Sequence, residues 1–582
     1  MKCRWLHKGC AVLLRLAVLI LILASVLARA QVVVVNMTPA SSSGETNNDA
    51  EPNLAVNPAN ASRIAATAFT PCPNSMIPDA PIYISTDGGH TWQLNCIVPG
   101  GNNTYGTGDI TIRFAGTSGV LYAGDLRGDS YLRMNILRTN DFTSLTPMTV
   151  LVDRTSEDQP YMQATTVLGG VGAGNDRAYV GNNHFGSSQT ATVDLSLDAA
   201  TALPPAGFSP HVIETRSTCG QDGPPVRPAI HSNGIVYAAF FHWTACSGSP
   251  YTADVVVARD DNWGSGGTPF RALFDLPSPP GDGGVGKRVA TGRSIPWAAD
   301  FGSQITLSSQ ISIAVDPNNY QTVWVAWADG TSASNYTIHV RRSIDGGANW
   351  SADLKMVVPA TNPALAISTI GTVGFLYQRL VNPGTCSGGG ACWETHLERT
   401  TDGTTWMDVF LANVSAAPHT GVHRDLGDYV HLMAVGTDFY GVFSGDNTPD
   451  MGNFPNGVTF QRNFNPATKK LRNLTNTADV PTSIDPFFFK VTITLSDLCD
   501  EVVQFHNQGK MGTGAFHSLQ QSCRQASRQP RNVCTHLRNF IQHILNSAHA
   551  APNSANHIDS TAAQILLTKA RALCAANSCK CP

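Results

Sequence analysis

The stretch STDGGHTW at residues 85–92 returns as SIDGGANW at 343–350 and as TTDGTTW at 400–406. In each copy an Asp can accept hydrogen bonds from nearby backbone N–H groups, and Gly can adopt the positive φ that a tight turn needs. The closing Trp can bury its rings beneath the turn. The pattern therefore predicts a locked turn between two strands and not a catalytic group. The structural residues of these turns are Asp87, Trp92, Asp345, Trp350, Asp402 and Trp406.

Each clear turn lies inside a larger repeat. EPNLAVNP (51–58) precedes the first turn and SSQISIAVDP (308–317) precedes the second, with strand-like runs rich in Val, Ile, Trp and Tyr between them. Four short strands per repeat of about fifty residues are typical of a β-propeller blade. We count seven such units across 48–490, and six blades plus an irregular excursion is the alternative.

Two further segments complete the predicted propeller. QVVVVN (31–36) is a β-rich run just before the first unit, and we expect it to supply a strand that closes the ring and covers an open sheet edge. Residues 276–307 are rich in Gly and Pro, which predicts a long loop inserted between two blades.

The first 30 residues predict export. Lys2, Arg4 and Lys8 precede an apolar run at 16–27, and Ala28-Arg29-Ala30 offers a small-residue cleavage site. We expect 1–30 to be a removed signal peptide, which leaves no transmembrane segment and places the protein in a secreted, extracellular or periplasmic setting. The formal net charge is −4 over 582 residues, so the sequence lacks the excess of basic residues that is typical of nucleic-acid-binding proteins.

Twelve cysteines remain after that cleavage, in a compartment that permits disulfides. Three local groupings favour disulfide pairs, namely Cys72 with Cys96, Cys219 with Cys246, and Cys386 with Cys392. The other six lie after residue 498 and allow 15 connectivities, among which the sequence does not choose. Zinc binding is the competing interpretation, but the spacings fit no usual ligand pattern.

The spacing of apolar residues changes from strand-like to helical near residue 493. Segments such as VCTHLRNFIQHILNSAHA (533–550) show helical spacing, and Asp559 with Ser560 suits a helix start. We predict a propeller over 31–492 followed by a small, disulfide-rich helical domain over 493–582. This tail resembles the helical C-terminal module of some secreted bacterial hydrolases, and its cysteines would stabilise a small core.

The three turns resemble the Asp box, also called the BNR repeat, of sialidases and related propellers. The resemblance covers most of 48–490 and implies an all-β, sialidase-like β-propeller. It places the ligand site on the face opposite the Asp boxes, where the innermost strand of each blade begins. Fold alone does not fix function, because Asp boxes also occur in propellers that are not sialidases.

Sialidases hold a substrate carboxylate with three arginines, and they use an aspartate acid/base and a tyrosine nucleophile activated by a glutamate. By position in the blades, the resemblance implies Arg227 and Arg424 for the clamp, with Arg379 as the third. Asp158 is then the acid/base, Tyr429 the nucleophile and Glu51 its base, with Asp428 also at the binding face. These roles follow from position in the blade, because the Phe/Tyr-Arg-Ile-Pro motif of sialidases is missing; SRIA (62–65) retains only Arg-Ile.

Three functions stay open at this stage, of which the third is a structural surface protein that its helical tail tethers. The first is a secreted, sialidase-like glycosidase, an exo-acting hydrolase that processes extracellular glycans. The second is a non-catalytic propeller that binds a glycan or a protein at the cell exterior. The expected partner is an extracellular glycan or glycoprotein. No cofactor or metal is predicted; the oxygen-rich segment 444–453, with Asp446, Asn447 and Asp450, suits a plain loop better than a calcium site.

Overall fold

The computed structural model describes residues 31–73, 81–99, 107–127, 132–219, 225–247, 250–277, 281–296, 310–419, 425–528 and 532–582. The predicted signal peptide lies outside these residues. The described chain forms two compact units. One is Val33–Lys490, which holds nearly all of the sheet structure, and the other consists of residues 31–32 and Val491–Pro582 and holds the α-helices. Among the described helices, none combines the length and apolar character that crossing a bilayer requires.

The first unit is built almost entirely of antiparallel strands rich in β-branched and aromatic residues. Strands β1 to β13 are Gln31–Asn36, Asn53–Val56, Ile64–Thr67, Ile82–Ser85, Gln93–Asn95, Thr107–Phe114, Leu121–Arg127, Arg133–Thr139, Thr149–Thr155, Glu157–Thr166, Asp176–His184, Ala191–Ser196 and Ser209–Val212. Strands β14 to β25 are Val226–Ile230, Val236–Ala245, Tyr251–Asp260, Lys287–Ile295, Ile311–Asp316, Asn319–Asp329, Thr337–Ser343, Lys355–Val357, Ala360–Ile367, Val373–Val381, Cys392–Thr400 and Met407–Ser415. Strands β26 to β32 are His431–Val435, Asp438–Asp446, Thr459–Phe460, Phe464–Asn465, Lys470–Arg472, Asp479–Val480 and Ile484–Thr492.

These strands form a ring of sheets. Six four-stranded sheets follow one another along the chain, each in simple sequence order from β2–β5 to β22–β25, and a five-stranded sheet comes last. The first strand of each sheet contacts the first strand of the next, and β2 also contacts β26, so the ring closes. A ring of radial sheets around a central channel is a β-propeller architecture. The small sheet β29–β31 lies between β28 and β32 in the sequence.

The two ends of the ring meet in the last sheet, whose strand order is β26-β27-β32-β1-β28. QVVVVN therefore forms β1 beside β32, and it also pairs in parallel with β28, Val35 lying opposite Thr459. Val35 packs in one apolar cluster with Leu54, Trp92 and Phe488, which belong to the first and last sheets. The N-terminal strand thus covers an edge that would otherwise be open.

The predicted loop over 276–307 is wrong in part. Lys287–Ile295 is β17, the outermost strand of the fourth sheet, with Val289 and Ile295 buried. Its pairing with β16 shifts register twice, between Ala253 and Val256. Such bulges change which residues face inward, so the segment shows no clean alternation that a sequence pattern could detect. Residues 278–280 and 297–307 lie outside the described chain.

All three repeated turns join the third and fourth strands of a sheet. In the first, Asp87 Oδ1 accepts from the N–H groups of His90 (3.1 Å) and Thr91 (3.0 Å), and Oδ2 accepts from the Thr91 hydroxyl (2.6 Å). Trp92 is buried and its Nε1–H donates to the Gly89 carbonyl at 3.0 Å. Gly89 has φ +92°, and a Cβ there would collide with Phe488.

We expect Asp87→Ala to lower the free energy of unfolding by about 1 kcal/mol, because several charge-assisted bonds are lost from an exposed turn. Urea denaturation monitored by tryptophan fluorescence measures the change. Thr86→Ala, also exposed in the same turn, is the matched control and should leave the midpoint unchanged. An equal effect of the two variants would contradict the turn-locking role.

The second unit consists of four helices. They are α1 (Leu495–Asn507), α2 (Thr513–Arg528), α3 (Val533–Ala548) and α4 (Ser560–Ala576). Asp559 caps α4 by accepting from the backbone N–H groups of Thr561 and Ala562. A buried ion pair joins Lys569 Nζ to Glu501 Oε1 at 2.8 Å.

Six disulfide bonds occur in the described chain. Three are the local sequence pairs Cys72–Cys96, Cys219–Cys246 and Cys386–Cys392, and three in the helical unit are Cys499–Cys523, Cys534–Cys579 and Cys574–Cys581. Of the tail histidines, which the sequence suggests to be surface residues, His536 is buried in the helical core, at 7% exposure.

Candidate functional site at the channel mouth

The first strand of each sheet is its innermost strand and lines the channel. We call the end of the channel at which these inner strands begin the mouth. The inner strands are irregular there. Register shifts interrupt β6 between Thr107 and Ile110, and β10 between Asp158 and Tyr161. A third shift lies in β22, close to Asn362. Bulges re-aim side chains and are frequent beside binding sites.

Strained backbone occurs at the same positions. Glu51, Gln159 and Asn362 have φ of +56°, +55° and +56°, although none is glycine. Each stands at or just before the start of the inner strand in a different sheet. Residues held in the left-handed region cost free energy and cluster at functional sites. The mouth therefore combines bulged inner strands with three residues in the left-handed region.

Tyr429 lies two residues before β26, at the centre of this region. Its ring is buried, and its hydroxyl has no hydrogen-bond partner within the described chain. Burial raises the pKa of the Tyr429 phenol well above its usual range, and the negative charges of Asp109 and Glu51 raise it further. The phenol is therefore protonated at neutral pH, with the carboxylates of Asp109 and Glu51 near enough for their charges to act on it.

Arg227 is the cation beside this tyrosine. Its guanidinium carbon lies 4.2 Å from the centroid of the Tyr161 ring and 5.6 Å from that of Tyr429. Burial lowers the pKa of Arg227, while Tyr161, Tyr429 and the carboxylates Asp109 and Asp428 act in the opposite direction. A guanidinium keeps its proton in proteins, so the mouth holds a fixed buried positive charge among acidic groups.

Amide side chains hold the acidic groups in place. Gln159 Nε2 donates to Asp428 Oδ2 at 3.0 Å, and Gln310 Nε2 donates to the Asp428 carbonyl at 2.7 Å. Gln310 also donates to Asn362 Oδ1 at 2.8 Å, and Asn362 in turn donates to Gln378 at 3.0 Å. These bonds link the sheets β10–β13 and β22–β25 to the segments just before β18 and β26, and they fix the position of the segment that carries Tyr429.

Within the described chain, two cavities are bordered by residues of the inner strands. A small one of about 10 Å³ is bordered by Tyr161, Arg227, Gln310, Asn362, Asp428 and Tyr429. A larger one of about 190 Å³ is bordered by Arg113, Tyr161, Gln163, Arg227, His431 and Met433, among others. The small cavity has room for one water and not for a sugar ring.

The larger cavity has a buried arginine and histidine in contact. Arg113 Nη2 lies 2.8 Å from His431 Nε2. Arginine can only donate, so His431 Nε2 accepts and its Nδ1 carries the proton. Burial lowers the pKa of His431 well below its usual range, and the charges of Arg113 and Arg227 lower it further. His431 is therefore neutral.

Four of the predicted site residues lie close enough together for their charges to interact. They are Glu51, Arg227, Asp428 and Tyr429, and the first three all act on the pKa of Tyr429. Asp158 is half-buried at the mouth, where its Oδ1 accepts from the Gln159 N–H at 2.8 Å. Arg379 is exposed on β23, the second strand of its sheet, opposite Glu394. Arg424 lies outside the described residues.

Sequence reasoning missed the amides Gln159 and Gln310, and it missed the channel residues Arg113, Tyr161 and His431. Tyr161 and Arg113 lie inside inner strands, where a polar residue could have been noticed as unusual for a buried position. The two glutamines gave no signal, because their partners are far away in the sequence and are reached through bulges.

The segment 444–453 does not converge on a cation. Asp446 accepts from His419 and from the Thr448 N–H, whereas Asp450 accepts from Gly452 and Lys469. The Asn447 amide donates to Asp485 at 2.7 Å. Each side chain thus serves a separate internal contact.

His419 bridges two carboxylates near the mouth, Asp425 at 3.3 Å and Asp446 at 3.0 Å. Burial opposes its charge, but the hydrogen bonds to Asp425 and Asp446 outweigh burial and raise the pKa of His419 from 6.5 to about 9. Because the pKa is raised in the folded state, this stabilisation is complete below pH 6.5 and is lost as the pH rises through about 9.

We expect the free energy of unfolding to fall by about 3 kcal/mol between pH 6 and pH 10 through His419, since each pKa unit corresponds to about 1.4 kcal/mol. Urea titrations at the two pH values measure the change. In His419→Gln the pH-dependent fall should shrink by that amount. A variant that keeps the full slope would show that another group is responsible.

No protein-family model matches the chain, and no curated protein matches it. Among solved structures, a protein of unknown function from Dyadobacter fermentans DSM 18053 is 12% identical, with a TM-score of 0.37 over 80% of this chain and 99% of that one. A GH93 α-L-arabinofuranosidase of Fusarium graminearum is 10% identical, with a TM-score of 0.38 over 63% and 97%. A leech intramolecular trans-sialidase is 11% identical, with a TM-score of 0.35 over 59% and 66%.

Several of these solved structures are glycoside hydrolases. Their sequence identities to this chain are 13% or lower.

Proposed function

We propose that this protein is a secreted glycoside hydrolase that processes extracellular glycans, with its reaction centre at the channel mouth. The observation that carries the proposal is Tyr429, a buried phenol whose hydroxyl has no hydrogen-bond partner in the described chain. It lies among Glu51, Asp109 and Arg227, whose charges act on its pKa. A neutral nucleophile beside carboxylates suits attack on a sugar that carries a negative charge itself.

In the proposed reaction Tyr429 attacks the anomeric carbon of the terminal sugar. The new bond joins the phenol oxygen to that carbon, and the phenol proton passes to the Glu51 carboxylate. As the bond to the leaving oxygen breaks, Asp158 supplies the proton that the leaving group needs. Water then attacks the same carbon while Asp158 accepts its proton, and the bond between that carbon and the Tyr429 oxygen breaks. Glu51 returns the first proton to the phenol oxygen that is released.

The cationic groups define the substrate class. Arg227 presents a buried guanidinium to the mouth, and guanidinium groups bind carboxylates with paired hydrogen bonds. We therefore infer a terminal sugar that bears a carboxylate, held by Arg227 with Arg424 as its partner and Asp428 bonding to sugar hydroxyls. Arg379 is left out of the clamp, because it is exposed on a second strand.

The three repeated turns are proposed as Asp boxes of the sialidase type, with a purely structural role. We propose that 1–30 is a cleaved signal peptide, that 31–492 is the catalytic propeller and that 493–582 is an accessory domain. Disulfide bonds in both units fit an oxidising, extracellular compartment.

The test is hydrolysis by the purified mature chain. We expect release of free sialic acid from a mixed pool of sialoglycans, with a chromogenic arabinoside as the neutral comparison substrate. Asp158→Ala should slow release, and a substrate with an activated leaving group that needs no protonation should restore much of the rate. No release from any substrate, by a chain shown to be folded, would refute the hydrolase.

The small cavity favours a second candidate, a propeller that binds a glycan without cleaving it. About 10 Å³ beside Tyr429 does not admit a sugar ring. Binding of intact sialoglycans in the absence of release, lost in Arg227→Ala and kept in Tyr429→Phe, would support this candidate in place of the hydrolase.

A further inference from the structure

Three carboxylates converge where the two ends of the ring meet. Glu45 and Asp49 follow β1 in the chain, and Asp485 lies near the start of β32 in the same sheet. Each offers an oxygen atom, and these three atoms lie within 4.8 Å of one another. Oxygen atoms at such separations can share one metal ion, since calcium–oxygen distances are about 2.3–2.6 Å.

The charge of this cluster is not balanced. Arg462 is its one close cation among the described residues, with Nη1 at 2.9 Å from Asp485 and 3.8 Å from Glu45. Three carboxylates and one guanidinium leave two negative charges in a buried site. Burial and neighbouring carboxylates raise the pKa of Glu45 to about 8 and that of Asp49 well above its usual range, against the opposing charge of Arg462.

The coordination of the cluster is also incomplete. Asp49 is fully buried, and neither of its carboxylate oxygens has a hydrogen-bond partner in the described chain. The same holds for Glu45 Oε2. The Thr70 hydroxyl contacts the Tyr83 hydroxyl at 2.5 Å, and it also lies close enough to Asp49 to lower the pKa of that carboxyl. Unsatisfied buried polar groups are rare in native proteins and call for an explanation such as an ion.

Asp485 plays a different part. Its oxygens accept from Arg462, from Asn36 at 2.6 Å and from Asn447 at 2.7 Å, so its position is fixed from three directions. The open oxygens therefore come from Glu45 and Asp49, while Asp485 adds charge and one further oxygen atom. An all-oxygen donor set with an excess of two negative charges suits a hard divalent cation.

We propose that Glu45, Asp49 and Asp485 bind a calcium ion that fastens the N-terminal segment to the last sheet of the ring. The ion neutralises the two excess charges and satisfies the open oxygens of Asp49 and Glu45. Calcium is favoured over magnesium, because magnesium demands near-octahedral geometry and keeps several of its waters, whereas calcium accepts carboxylate oxygens in a flexible geometry.

The experiment compares thermal unfolding of the full mature chain in calcium, in magnesium and in EDTA, together with calcium titration by calorimetry. We expect calcium to raise the melting temperature by several degrees through binding to the native state, with a smaller effect of magnesium. In Asp49→Asn the calcium shift and the calorimetric signal should disappear. In EDTA this variant should melt no lower than the wild type, since the substitution relieves repulsion.

Asp450→Asn is the matched control, because it alters a carboxylate that already pairs with Lys469. It should keep the full calcium shift. A calcium shift of equal size in Asp49→Asn would overturn the proposal. So would a wild type that binds no calcium and is stabilised by acid alone, because the cluster would then be a carboxyl group pair that shares a proton.

Discussion

Tyr429→Phe should abolish hydrolysis while leaving the propeller folded. Removal of a nucleophile that forms the covalent intermediate costs about 10³-fold or more in kcat. The phenol oxygen makes no hydrogen bond in the described chain, so its loss removes no native contact. Phenylalanine fills the same buried space, and we expect the unfolding midpoint to stay the same or rise slightly.

Steady-state release of the terminal sugar measures this effect, with KM and kcat determined separately. A nucleophile should lower kcat and leave KM nearly unchanged, because it contributes little to substrate binding. Tyr440→Phe is the matched control: Tyr440 is buried in the same sheet, and its ring packs near Phe488 and not at the channel. A Tyr429→Phe variant that retains most of its activity would remove Tyr429 from the mechanism.

Glu51→Gln tests the transfer of the phenol proton separately from the attack of the Tyr429 oxygen on the sugar. Its amide cannot accept the phenol proton, so the rate should fall, but less than in Tyr429→Phe, since Asp109 also lies near the phenol. Glu51 packs against Gly427, where any Cβ would collide with its side chain. The isosteric glutamine therefore tests the charge without a change in packing.

The sequence was informative where contacts are local. The turn at Asp87 could be predicted, because its hydrogen bonds reach only four residues along the chain. The strand 31–36 could also be expected, since an apolar β-rich run next to a ring of blades needs an edge to pair with. Local cysteine spacing likewise pointed to pairs such as Cys72–Cys96.

The site was only partly accessible to sequence reasoning. Glu51 and Tyr429 were predicted because each lies just before an inner strand, and every blade repeats the same order of strands. The amide network through Gln159 and Gln310 escaped prediction, since it depends on bulges and on residues more than a hundred positions apart. The strand β17 was missed for a similar reason, because its register shifts disrupt the expected alternation.

Deletion of residues 31–36 should have the largest effect on stability. Val34 and Val35 are buried, and their removal alone corresponds to roughly 3–6 kcal/mol. Asn36 also donates to Asp485 at 2.6 Å, a bond that the deletion removes. The backbone of β32 would in addition lose its partner strand and become an open edge. Since proteins are stable by only about 5–15 kcal/mol, the ring should no longer unfold in one cooperative step.

Guanidinium denaturation of the truncated chain measures this loss, and addition of a peptide with the sequence of residues 31–38 tests its cause. Pairing of the peptide with the open edge of β32 should restore the cooperative transition, as strand addition does at other exposed sheet edges. A peptide carrying Val35→Asp should not restore it, whereas one carrying Val33→Thr should, because Val33 is only half-buried. An unchanged transition in the truncated chain would mean that β32 and β28 close the ring without β1.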